Sequence, residues 1–242
     1  MNNLRELAIS RMAFAALLIP LAVPASAAVD LRKDCEAGQV AACTQILQSN
    51  PTDFSALANR GIGFRLTGQY DLAVADFDAA VRVNPTTAGL YVERGLAREA
   101  KGEHVLAVLD FDRAIGRDPT LVQAHFGRAM AYEAIGQFEL SIADINDAMR
   151  LNRNMVAALY MQRGYELRAK RQSDEAITAF DRAIEINSDW LLAYFGRGAS
   201  FDDKGDSGRA AADYRKCIEF NAKTDLERQR QQEAGERLKK VN

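Results

Sequence analysis

The chain has 242 residues, 48% of them hydrophobic and 26% charged, and a formal net charge of -2. That length and composition suit a folded protein with an ample core and exclude a disordered or fibrous chain. The near-even charge excludes a general nucleic-acid binder, and 2 His with 3 Cys leave little material for a transition-metal site.

The first predicted element is an address. Bases stand at Arg5 and Arg11, an apolar run spans Met12–Val23, and Pro24-Ala25-Ser26-Ala27-Ala28 follows. A basic start, a short apolar core and an Ala-x-Ala site are the parts of a secretory signal, with cleavage expected after Ala27. The run has 12 residues and is broken by Pro20, whereas a membrane-spanning helix needs roughly 20. No cysteine stands immediately after the site and no twin-arginine pair precedes it. The expectation is a periplasmic or secreted protein with no stable membrane insertion after signal cleavage.

Residues 28–53 read as a degenerate capping unit that ends at Pro51, with an apolar helix around Val40–Leu47 and a first helix too short to be complete. Cys35 and Cys43 flank Gly38. On one continuous helix they would lie about 12 Å apart, beyond the roughly 7 Å that a disulfide allows between Cα atoms. A turn at Gly38 would make the bridge possible, and an oxidising compartment favours it. Two packed thiols are the alternative.

From here the chain counts in thirty-fours. Pro51, Pro85 and Pro119 are spaced by 34, as are Gly68, Gly102 and Gly136. Arg60, Arg94, Arg128, Arg163 and Arg197 run 34, 34, 35, 34, and so do Phe77, Phe111, Ile145, Phe180 and Tyr214. A fixed period of this size means stacked supersecondary units. Within 54–87, Leu57, Gly61 and Phe64 share one helical face, Gly68-Gln69 breaks it, and Ala73, Phe77 and Ala80 form a second face. Asn84-Pro85 ends that second helix. The units are 54–87, 88–121, 122–156, 157–190 and 191–224, and 225–242 reads as a polar capping helix with Leu226, Ala234, Leu238 and Val241 on one face.

This column pattern resembles the tetratricopeptide repeat family over about residues 54–224. The family's small residue at position 8 is Gly61, Gly95, Ala129, Gly164 and Gly198 here, and its aromatic position 4 is Leu57, Tyr91, His125, Tyr160 and Tyr194. Departures are Arg98 at position 11 of the second repeat and Arg171 at the turn glycine of the fourth. Arg153, Ser188 and Ala222 replace the terminal proline. The resemblance implies an all-α right-handed superhelical solenoid whose first helices line a concave groove. Carried over by position, Ile62, Leu96, Phe126, Met130, Met161, Tyr165 and Phe195 would face it. The last five would form an apolar patch, and adaptable methionines suit peptide surfaces. Packing between repeats or under the cap is the alternative use of such a stripe. Position 12 adds Arg65, Glu99, Glu133, Arg168 and Asp202. The relatives that grip a C-terminal carboxylate use basic residues at other groove positions, which are absent here.

The arginine column faces acids at Asp76, Asp110, Asp144 and Asp213, while the fourth repeat has Ala179 there and Asp181 two residues on. Internal Arg–Asp pairing is one reading; an anionic ligand track is the other. Gly205-Asp206-Ser207-Gly208 resembles a serine-protease nucleophile motif, but no base is placed to activate Ser207. No catalytic set, cofactor motif or metal set emerges. The expected function is an exported adaptor or scaffold that binds a segment of another protein in its groove. A self-assembling envelope protein and a regulatory subunit of an envelope enzyme such as a peptidase are the alternatives.

Overall fold

In a computed structural model, which describes residues 25–241, the chain forms twelve α-helices and no strand among those residues. The signal-like segment before Ala25 lies outside the described residues. The expected cleavage point after Ala27 falls in the first turn of α1 (Ala25–Glu36). Helix α1 pairs with α2 (Val40–Ser49). It has 12 residues, the first three of them before the expected cleavage point. Gly38, at φ +85°, makes the turn between them. Cys35 and Cys43 are joined there by a disulfide, with their Cα atoms 4.7 Å apart.

Five helix pairs follow: α3 (Phe54–Leu66) with α4 (Tyr70–Val83), α5 (Ala88–Ala100) with α6 (His104–Arg117), and α7 (Val122–Ala134) with the start of α8 (Phe138–Ala169). The end of α8 pairs with α9 (Ser173–Ile186), and α10 (Leu191–Asp203) with α11 (Ser207–Glu219). The turns inside four pairs hold Gly68, Gly102, Gly136 and Gly205 at φ +76° to +80°. That region costs an L side chain about 1–2 kcal/mol. In the fourth pair Arg171 accepts it, at φ +62°.

One ring fills the centre of each of four units. Phe77, Phe111, Phe180 and Tyr214 are fully buried. They fit because the facing helices present glycine at the contact: a Cβ on Gly95 would meet Phe111 at 2.8 Å and one on Gly127 would meet it at 2.5 Å. The period-34 glycines and aromatics are thus one packing device, stacked along the chain.

The third and fourth repeats meet without a loop. Asn84 and Asp118 end their helices in extended geometry, and proline follows each. Asn152 is also extended, at φ -160° and ψ 95°, but Arg153 follows it. The next helix starts at once, and Asn152 Oδ1 caps it by accepting from Met155 N at 3.0 Å; at the following junction Asn187 is also extended with no proline after it, yet a loop precedes Leu191. Helix α8 is therefore two helices joined at one residue.

At the far end α12 (Asp225–Val241) covers α10 and α11. Ala234 is buried and Leu238 packs beside it. Gln231 Nε2 donates to the carbonyls of Cys217, Ile218 and Phe220, satisfying the open end of α11. Leu226 is a correction to the expected apolar face, since it stands exposed. Asp206 caps α11 by accepting from Arg209 N at 3.0 Å, which explains the protease-like Gly-Asp-Ser-Gly run as a turn and a cap.

Candidate functional site

The arginine column becomes an internal ladder. Each of four arginines leaves a first helix and forks onto the aspartate 16 residues later: Arg60 to Asp76 at 2.7 Å, Arg94 to Asp110 at 2.6 and 2.9 Å, Arg128 to Asp144 at 2.7 Å, and Arg197 to Asp213 at 2.7 and 2.8 Å. A third donor reaches back to the preceding repeat, from Arg94 to Asp78, Arg128 to Asp112 and Arg197 to Asp181, at 2.5–2.6 Å. Arg98 adds a bond to Asp110 at 2.7 Å, which accounts for a charge at a usually apolar position. Burial alone would lower the pKa of Arg94; Asp110 and Asp78 outweigh it and hold the guanidinium above its ordinary range. The bidentate forks fix the two helices of each repeat on one another, and the single backward bonds, to more exposed aspartates, tie each of these repeats to the one before.

The first helices of repeats 1 to 4 enclose a groove of about 250 Å³, and Arg65, Leu96, Glu99, Phe126 and Met130 line it as expected. Leu159, Gln162, Arg163, Glu166 and Lys170, from the second half of α8 and its end, line it as well. Gln162 stands at a groove position of the repeat, yet polarity kept it out of an apolar stripe.

The expected apolar patch is not on the surface. Phe126, Met130 and Phe195 are buried, so Phe126 and Met130 form the groove's floor rather than an exposed wall. Phe126 meets Tyr160 edge-on at 4.8 Å between centroids. Phe195 lies under α12, with Arg230 and Arg237 at 5.2 and 5.9 Å over its ring. Tyr165 is half-buried, donates to the Leu192 carbonyl at 2.7 Å, and burial pushes its phenol up to about 12. Met161 and Ile62 are half-buried, Ile62 against the first core cluster. Cap and neighbouring repeats cover much of what a single repeat leaves open.

The position-12 charges are mostly engaged inside the chain. Arg65 pairs with Glu93 at 2.8 Å, Arg168 with Asp203 at 2.7 Å, and Asp202 accepts from Tyr214 at 2.6 Å. Glu99 faces Arg163 at 4.0 Å across the groove. Glu133 is exposed and borders a second, larger cleft.

That cleft, of about 780 Å³, opens among the end of α7, both halves of α8, and α9. Phe138, Ile142, Ile145, Met149 and Ile186 line it. On the same outer side Leu72, Leu106 and Leu140, again 34 apart, are 43–48% exposed. Their spacing was readable as a column, and only Glu175 and Arg209 at the matching positions of repeats 4 and 5 interrupt it.

Among the described residues one set could hold a metal ion: His125, Asp144 and Asp147. Asp144 is already forked by Arg128 and Asp147 is paired with Arg150, so both carboxylates are neutralised. His125 instead replaces a tyrosine: its Nε2 lies 3.0 Å from the Pro119 carbonyl, as the Tyr91 hydroxyl lies 2.9 Å from that of Pro85.

Family models for the tetratricopeptide repeat match residues 59–122 and then 122–155, 157–189 and 191–224. The chain belongs to the tetratricopeptide repeat family. Repeats of this kind serve as protein–protein interaction modules and are generally not enzymes. Similar solved structures include a thermophilic tetratricopeptide repeat protein of Thermus thermophilus, 21% identical, covering 75% of this chain and 98% of that one, at a TM-score of 0.51. A tetratricopeptide repeat protein of Parabacteroides merdae is 18% identical over 87% of this chain and 82% of that one, at 0.56. The Cut9–Hcn1 heterotetramer of the APC/C contributes a chain 14% identical over 86% of this chain and 42% of that one, at 0.55. At these identities the likeness is one of fold. No curated protein matches the sequence.

Proposed function

We propose that this tetratricopeptide repeat protein is an exported adaptor that holds a segment of another protein in the groove of its first helices. The reading rests on one observation above all: the groove of about 250 Å³ joins repeats 1 to 4 and gathers an apolar floor, Leu96, Phe126 and Met130, between charged walls, Arg65 and Glu99. An apolar floor with a polar rim is how such surfaces hold an extended or helical segment. Export to the periplasm or outside the cell is proposed from the signal-like Met1–Ala27, and the Cys35–Cys43 disulfide accords with an oxidising compartment.

The experiment is photo-crosslinking in the native host with the probe at Gln162, an exposed groove residue, and a control at Glu139 on the outer side. Capture of one foreign protein from position 162 alone is expected. No capture there, or equal capture from both positions, removes the groove reading. A second reading, self-assembly, is favoured by the exposed Leu72, Leu106 and Leu140. It predicts that position 139 captures a second copy of this chain.

A further inference from the structure

Arg163 is the arginine whose two acids are missing. In repeats 2, 3 and 5 the ladder arginine holds an aspartate on its own second helix and one on the preceding second helix. For Arg163 those two column positions are Ala179 and Asn146, and Asp147, the next residue and 16 before Arg163, is paired with Arg150 instead. Both acids are gone while the arginine remains. Among the described residues its only ion pair is the 4.0 Å approach to Glu99. A guanidinium offers five donors in a rigid fork shaped for a carboxylate.

The missing acids leave their places in the outer cleft. Asn146, Ala179 and Arg163 all line it. Repeat symmetry marks where a carboxylate would stand: on Arg163, beside Ala179, where Asp110 stands on Arg94. Phe138, Ile142, Ile145, Met149 and Ile186 give the cleft an apolar side among its polar lining, and about 780 Å³ lies within the 300–1,000 Å³ usual for ligand sites. The remaining charges on its lining are Arg153, Arg182, Glu133, Glu175 and Glu185. Arg182 pairs with Glu185 at 2.8 Å and Arg153 donates to the Ile186 carbonyl at 3.4 Å. Glu133 and Glu175 make a dianion costly there and favour a ligand with one negative charge.

We infer that the cleft between repeats 3 and 4 binds a carboxylate carried on an apolar body, anchored by Arg163 in the place that an aspartate fills in the other repeats. Either a free medium-chain carboxylic acid or an acidic side chain on an apolar segment of a protein meets that chemistry. Arg163 borders the first-helix groove as well, where Glu99 faces it, but Asn146 and Ala179 line this cleft and not the groove, so Ala179→Asp reads the cleft by itself whatever becomes of the groove reading.

The test titrates the full chain with decanoate, with decanol, and with an acetylated Leu/Ala decapeptide carrying one central Glu. It follows heat of binding and the Arg163 Nε–Hε resonance. Saturable one-to-one binding of decanoate or of the peptide is expected, shifting that resonance, with decanol at least about tenfold weaker. Binding of decanoate alone points to a free acid, and of the peptide alone to a protein segment. Arg163→Gln removes the anchor and Ala179→Asp supplies the acid internally, so each should raise Kd at least about tenfold, or about 1.4 kcal/mol. Helix content and melting temperature check both variants, and Arg163→Gln decides if Ala179→Asp does not fold. The inference is overturned if neither probe binds, if decanol binds as well as decanoate, or if the folded variants bind unchanged.

Discussion

Repeats 2 and 4 are built on one plan and are held together differently. In repeat 2, Arg94 is nearly buried and reaches two aspartates, Asp110 and Asp78, while Arg98 adds a second cation to Asp110. Its turn is made by Gly102 and a proline separates it from repeat 3. In repeat 4, Arg163 lacks both acids, Arg171 sits in a glycine's conformation, and Asn152 alone separates it from repeat 3. The two share the ring between glycines, Phe111 by Gly95 and Phe180 by Gly164. The apolar packing is thus what the repeat requires. The ion-pair ladder and the turn residue are additions that one repeat can lose, and where they are lost a cleft opens.

The sharpest way to break this comparison is the ladder itself. Asp110 is fully buried between two arginines. Asp110→Ala should cost about 3–5 kcal/mol, because it strands buried positive charge. Urea unfolding would check this, and a cost under about 1 kcal/mol would mean the ladder is ornamental. The shared packing comes next. Gly95→Ala and Gly164→Ala should each cost about 1–3 kcal/mol, since the added methyl meets a ring that has nowhere to go. Unequal costs in thermal melts would show that repeat 4 yields where repeat 2 does not. Arg171→Gly should stabilise the chain by about 1 kcal/mol by removing left-handed strain, read as a higher melting temperature. The smallest effect is expected at Arg163. Arg163→Ala should change stability by less than about 0.5 kcal/mol, as a long, part-exposed ion pair contributes little. A larger loss in urea unfolding would place Arg163 among the structural members of the ladder.

The repeat was legible because its causes are local. Glycine, alanine and aromatic columns recur wherever two helices must approach closely around one ring, so a 34-residue count reveals the units and most of their turns. The ladder could be read in outline, since the Arg60–Asp76 spacing recurs in four of the five repeats. Its backward arm to the preceding repeat could not, because that depends on how far one unit is rotated on the next. The groove was half legible. Arg65, Leu96 and Glu99 were expected and line it, but Phe126, Met130 and Phe195 were expected as open surface and are buried. Burial in a stack is set by the neighbour: α12 covers Phe195, and a repeat's own sequence says nothing of what lies over it.

The sequence by itself determined the helix pairs, their number and their order, because period, turn residue and helix face are properties of short segments. Only the tertiary structure decided which of those faces remain open. The joining of two helices at Asn152, the cleft beside it, and the lone approach of Arg163 to Glu99 arise from the angle between whole repeats. That angle is set by side chains from several units acting together.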